Sequence, residues 1–127
     1  MKDLIPYNEA LELKQLGFDE ECFGLFVRDK SLLIKQMPNQ EECEKYFGGI
    51  LTPTFSQAFR FFREKYGFFS SPSESDDGKT KKYDWHILKN LPDGHIFIKF
   101  VGYHEKYEEA ELACVKMLIE IVKNKNI

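Results

Sequence analysis

Glu111 is the titratable residue whose position departs most from its chemistry. At 100° per residue it falls on the apolar stripe of a C-terminal helix made by Tyr107, Ala110, Cys114, Met117, Leu118, Ile121 and Val122. A carboxylate held among apolar side chains is a candidate acid or base. Its headgroup can equally reach past the helix start or pair with Arg60 or Arg63, and one residue makes no site. His86 and His95 fall on the polar face of a predicted hairpin, with His86 opposite Lys99, and a cation beside it opposes a metal. His104 stands at the start of the last helix. Cys22, Cys43 and Cys114 are far apart, with none of the close Cys and His pairs that zinc requires. Asp76-Asp77-Gly78 lacks the alternating oxygen ligands and closing Glu of a calcium loop. No glycine-rich phosphate loop, nucleophile elbow or Ser/His/Asp order is present. These absences predict a protein that is not an enzyme and carries neither metal nor cofactor.

The elements that would position any site follow from patterning. With 127 residues and aromatics at 15%, the chain is long enough for one domain with an aromatic core. Its net charge of −3 opposes a dedicated nucleic-acid binder. Residues 1–54 carry six basic and ten acidic side chains, whereas 55–66 carry three and one. Three widely spaced cysteines point to buried, reduced thiols. No apolar run approaches the roughly 20 residues that span a bilayer, and the N-terminus lacks a hydrophobic signal region. A cytoplasmic protein with no membrane partner is expected.

Three helix starts, at Tyr7, Phe55 and Tyr107, place an aromatic three residues before an alanine. Thr52 is the expected N-cap of the second helix, with Gly17 and Gly67 as stops for the first two. Cys22–Arg28 and Ser31–Met37 read as a hairpin around Asp29-Lys30, with Phe23, Leu25, Val27, Leu32 and Ile34 on one face. Gln40–Phe47 suits a short helix or a loop. Ser70–Lys82 reads as a mobile polar loop. Tyr83–Lys89 and His95–Tyr103 form a second hairpin turning at Pro92-Asp93-Gly94, with Tyr83, Trp85, Ile87, Ile96, Ile98 and Phe100 on its apolar face. The order α-ββ-α-ββ-α predicts a single two-layer α+β domain over 1–127, its antiparallel sheet of about four strands packed by three helices.

Six of the twelve phenylalanines lie between Phe55 and Phe69. Phe55, Ala58, Phe59, Phe62 and Tyr66 share a core stripe. Phe61 lies about 60° outside it, next to Gln57 and Lys65, with Arg60, Arg63 and Glu64 on the far flank. Such a ring can sit beneath the following loop, anchor a protein partner or stack a base. Phe26 and Leu33, facing each other on the first hairpin's other side, form a second candidate patch.

Ile5–Phe18 with Cys22-Phe23-Gly24, Thr52–Gly67 and Tyr107–Lys123 together resemble the pattern of small phage and prophage proteins of Bacteroidota. The resemblance covers the three helices and the first strand, and brings no catalytic residues. It implies an accessory protein made inside an infected bacterium, one that binds and blocks a host or phage protein complex. Counter-defence, in the manner of an anti-CRISPR inhibitor, is the expectation, with Phe61, Arg60, Arg63, Lys65, Phe26 and Leu33 as the partner-binding residues. Nucleic-acid or nucleotide binding through the aromatic-basic flank, gripping an RNA, is the alternative.

Overall fold

A computed structural model describes residues 3–76, 81–99 and 104–124. The chain divides into two compact units, Met1–Ala58 and Phe59–Ile127. The first holds α1 (Tyr7–Gln15), β1 (Cys22–Phe26), β2 (Leu32–Met37), α2 (Gln40–Phe47), β3 (Ile50–Thr52) and the first turn of α3 (Phe55–Tyr66). The second holds the rest of α3, then β4 (Phe68–Asp76), β5 (Lys81–Leu91), β6 (Gly94–Lys99) and α4 (Tyr107–Asn124). The α+β class expected from sequence holds. Among the described residues its strands form two three-stranded antiparallel sheets, β2-β1-β3 and β4-β5-β6, where one sheet of about four strands was expected.

In the first unit, α1 ends where Gly17 takes a φ of 97° and the Phe18 N–H donates to the Leu13 carbonyl, a left-handed helix stop. Gln40–Phe47 is a helix, capped where the Asn39 side chain accepts from the Glu42 N–H. The N-cap of α3 is Thr54 and not Thr52. Thr54 Oγ1 accepts from the Gln57 N–H at 3.1 Å and Gln57 Oε1 from the Thr54 N–H at 3.0 Å, a reciprocal capping box. Thr52 instead lies buried in β3, its hydroxyl donating to the Ile5 carbonyl. The alanine after each helix-start aromatic, Ala10, Ala58 and Ala110, is buried, so the shared pattern seats a small residue where a helix approaches its neighbours.

The first hairpin is displaced by one residue from the sequence expectation. Phe26 pairs with Leu32, Leu25 with Leu33 and Gly24 with Ile34. The cause is a three-residue loop. The Lys30 N–H donates to the Val27 carbonyl, Lys30 turns left-handed at φ 70°, and the Val27 N–H donates to the Ser31 carbonyl. That is the turn-plus-bulge geometry of three-residue hairpins. Asp29 supports it by accepting from the Ser31 N–H, a bond that lowers its carboxyl pKa. Because side chains alternate, a shift of one changes every facing pair.

In the second unit, β4 pairs with β5 from Phe68↔Lys89 to Asp76↔Lys81, and β5 with β6 from His86↔Lys99 to Leu91↔Gly94. Ser70–Lys82, expected as a mobile loop, is therefore strand through Asp76 and again from Lys81; residues 77–80 lie outside the described set. A strand with one solvated face needs apolar side chains at only half its positions, and an edge position tolerates Pro72. The second hairpin follows its predicted register, including His86 opposite Lys99. Phe68, Trp85 and Ile87 are buried on the face that α4 covers, where the Tyr83 and Tyr107 rings meet edge to face at 5.7 Å.

Candidate functional site

The basic flank of α3 is present without its aromatic centre. Arg60, Arg63 and Lys65 are exposed, but Phe61 is only 6% exposed. Its ring meets Phe62 and Tyr66 edge to face at 5.4 and 5.9 Å, and the Lys65 ammonium stands 5.5 Å from its centre. The buried side of α3 is thus wider than the predicted stripe: Phe55, Ala58, Phe61 and Phe62 are buried while Phe59 and Tyr66 are half-buried. A buried ring offers no flat face to a base or partner.

Phe26 and Leu33 do not face each other, as the one-residue displacement dictates. Phe26 shares its face with Leu32 and Ile34, and the Tyr7 ring of α1 packs edge-on against it at 5.5 Å. Leu33 shares the opposite face with Leu25 and Leu51. Both are half-buried. What β2 does expose is Leu32 and Ile34, two positions apart on one face, and among the described residues β2 pairs with β1 alone.

A surface that sequence reasoning missed lies on the second sheet. Across β4, β5 and β6, Phe69, Leu88 and Phe97 stand side by side in register on the face opposite Phe68, Trp85 and Ile87. Phe69 is 48% and Phe97 56% exposed. The His86 ring lies nearly parallel to Phe97, with centres 5.8 Å apart and 24° between planes. Reading β4 as a loop hid this row. The available signal was Phe68-Phe69 itself, since consecutive residues of a strand point to opposite faces.

No family model, curated protein or solved structure matches the chain.

The candidate metal-ligating side chains do not gather into a site among the described residues. No group of three or more His, Cys, Asp or Glu side chains could hold a metal ion, and no helix is long and apolar enough to cross a membrane. Glu111 is half-buried; burial first, and the Glu111 charge after it, raise the Tyr107 pKa. His86, His95 and His104 do not converge: the first two lie along the open sheet face, and His104 bridges Tyr83.

Cys22, Cys43 and Cys114 are free and buried, as expected. Burial, with Glu20 next, pushes the Cys22 thiol up to about 12, and burial pushes Cys114 up to about 12 against a hydrogen bond with Ser70. Thiolates are the reactive species, so a chromogenic disulfide reagent at about pH 8 should titrate no thiols in the folded protein and three in denaturant. Rapid native labelling at Cys22 or Cys114 would contradict this burial. A thiol pKa raised from the ordinary 9.0 leaves stability untouched below about pH 9. Above that the unfolded chain ionises first, and stability falls towards pH 12 by up to about 1.4 kcal/mol per unit for each thiol.

Proposed function

We propose that the protein is a non-enzymatic accessory protein of phage origin that works by binding a host protein complex, blocking an immune machine in the manner of an anti-CRISPR inhibitor. The observation that supports binding is the β2 edge, where Leu32 and Ile34, the latter 56% exposed, accompany a strand flank paired on one side only. An open edge offers backbone donors and acceptors to an incoming strand, and alternate side chains supply selectivity. The phage setting and the immune target rest on the sequence resemblance. Arg60, Arg63 and Lys65 are a separate exposed surface in the second unit, where charge can add selectivity of its own.

Affinity capture from a phage-infected host, compared between the parent and an Ile34→Lys, Leu32→Lys double variant, tests the surface. Lysines on an edge strand oppose strand addition, so the captured complex should be lost. Arg60→Glu should weaken capture in a salt-dependent way. Retention of the same complex by the double variant at parental yield would discard the β2 edge. Failure of the parent to protect phage in hosts bearing known immune systems would discard the counter-defence role. The alternative of bases stacked on Phe61 has lost its stacking ring to burial.

A further inference from the structure

We propose that a second copy of the chain pairs along the open edge of β2, antiparallel and across a two-fold axis at Leu33. The pairing joins two three-stranded sheets into one of six strands. It deepens the host-binding reading, resting on the same β2 edge, by giving that edge an occupant when no host complex is bound.

The hairpin's own hydrogen bonds decide which backbone groups β2 turns outward. The Val27 N–H donates to the Ser31 carbonyl, so these two residues are a hydrogen-bonded pair. Along an antiparallel ladder, bonded and non-bonded pairs alternate. Leu25 with Leu33 is therefore the next bonded pair, while Phe26 with Leu32 and Gly24 with Ile34 are non-bonded. The N–H and C=O groups of Leu32 and Ile34 thus point away from β1. Leu32 and Ile34 are also the residues whose side chains β2 exposes. Free backbone groups and bare apolar groups coincide on the same two residues.

Their spacing selects a second copy as the occupant. An axis at Leu33 sets Leu33 against the second copy's Leu33, with Leu32 against its Ile34 on one side and Ile34 against its Leu32 on the other. Both flanking pairs bring outward backbone groups together, as a bonded pair requires. Four exposed apolar side chains then cover one another on one face. The neighbouring registers that also match outward groups place the axis at Leu32 or Ile34. They set Ile34 against Lys30, or Leu33 against Lys35, and lose the apolar match. Charge agrees with the Leu33 register. Lys35 is the one charged residue of β2, and it stands opposite the second copy's Ser31, two residues from Asp29. Like charges directly opposed disfavour strand pairing, and here the two lysines are kept apart. Pairing over so few residues falls below a standard interface, so the dimer is weak and reversible. Dilution frees the edge for the host complex, and self-pairing competes with host binding.

Sedimentation velocity of the purified full chain, from micromolar to submillimolar concentration, tests the pairing. A monomer–dimer equilibrium is expected. Ile34→Lys should weaken it about tenfold or more. Ile34→Pro is more specific, because the N–H it removes points away from β1. The hairpin should keep its ladder, with parental circular dichroism, while the dimer is lost; Ile34→Lys serves if the proline variant does not fold. Leu33→Cys should crosslink two copies on air oxidation, since facing Cα atoms of a non-bonded pair lie about 4.5 Å apart, within disulfide reach. Lys35→Cys should not, because its symmetry mate lies about 13 Å along the strand. The native cysteines are buried, so the parent is the control for both. A parent that stays monomeric, a dimer indifferent to Ile34→Pro, or equal crosslinking at positions 33 and 35 would overturn the proposal. A monomeric parent that still captures its host complex overturns the dimer and leaves the host-binding reading standing. A parent that dimerises and captures nothing upholds the dimer and discards that reading alone.

Discussion

Gly49→Ala should destabilise the first unit by about 3 kcal/mol, lowering its melting temperature by roughly 12 to 24 °C. A Cβ built on Gly49 would stand 2.3 Å from the Phe26 carbonyl oxygen and 3.3 Å from Leu25 Cδ1. The first of these is backbone, so no rotamer change relieves it. Nor can the segment easily retreat. The Gln40 side chain holds it from α2, donating to the Gly49 carbonyl at 2.9 Å and accepting from the Leu51 N–H at 3.1 Å. Relief must therefore part β3 from β1 or break the Gln40 clamp. Gly24→Ala makes an instructive comparison, because its Cβ would meet the side-chain atoms Leu4 Cδ1 at 2.8 Å and Thr52 Cγ2 at 3.2 Å. Leu4 can change rotamer, so the cost should be smaller. Urea denaturation followed by circular dichroism ranks the two. A Gly49→Ala protein within about 0.5 kcal/mol of the parent would show that the approach of residue 49 to β1 is looser than described.

Phe62→Ala should cost about 3 to 5 kcal/mol. The ring is fully buried, so its removal forfeits apolar burial and leaves a cavity. It also ends contacts with the Phe61 and Tyr66 rings at 5.4 and 6.1 Å, each pair contributing about 0.5–1.5 kcal/mol beyond area alone. Phe69→Ala, seven residues along, should cost under about 1 kcal/mol, because its ring is about half in water in the folded state. The contrast separates rings that hold the fold from rings left half in water. Equal destabilisation by the two substitutions would place Phe69 in the core.

Much of this fold can be read from residue spacing, and its gaps have identifiable causes. Amphipathic periodicity located α1, α3 and α4, and Gly17 and Gly67 marked their stops because both take positive φ. The second hairpin was legible because Pro92-Asp93-Gly94 leaves little choice of turn, and the pairing of His86 with Lys99 followed. The first hairpin was not, since Asp29-Lys30 suits a two-residue loop as well as the three-residue one that forms. Lys30 adopts the left-handed conformation there without being glycine, and no residue type announces it. Strand β4 was hidden by composition, its serines and Pro72 being the usual marks of a loop. Its partner β5 supplies what local propensity lacks, a full ladder of backbone hydrogen bonds. The candidate surfaces inherit these limits: Arg60, Arg63 and Lys65 remain exposed as expected, Phe61 does not, and the Phe69–Leu88–Phe97 row requires β4 to exist.

Pro72 gives the second sheet a property of a different kind. A sheet that carries bare phenylalanines on one face, beside an outer strand paired on one side only among the described residues, has the makings of a fibril seed. Pro72 sits near the middle of that outer strand, opposite Trp85, and its nitrogen has no hydrogen for the next chain in a stack. Serines to either side add little apolar surface for such a chain to gain. The missing donor opposes growth along the hydrogen-bonding direction, so exposed rings on the face need not seed the stacking of one chain on the next.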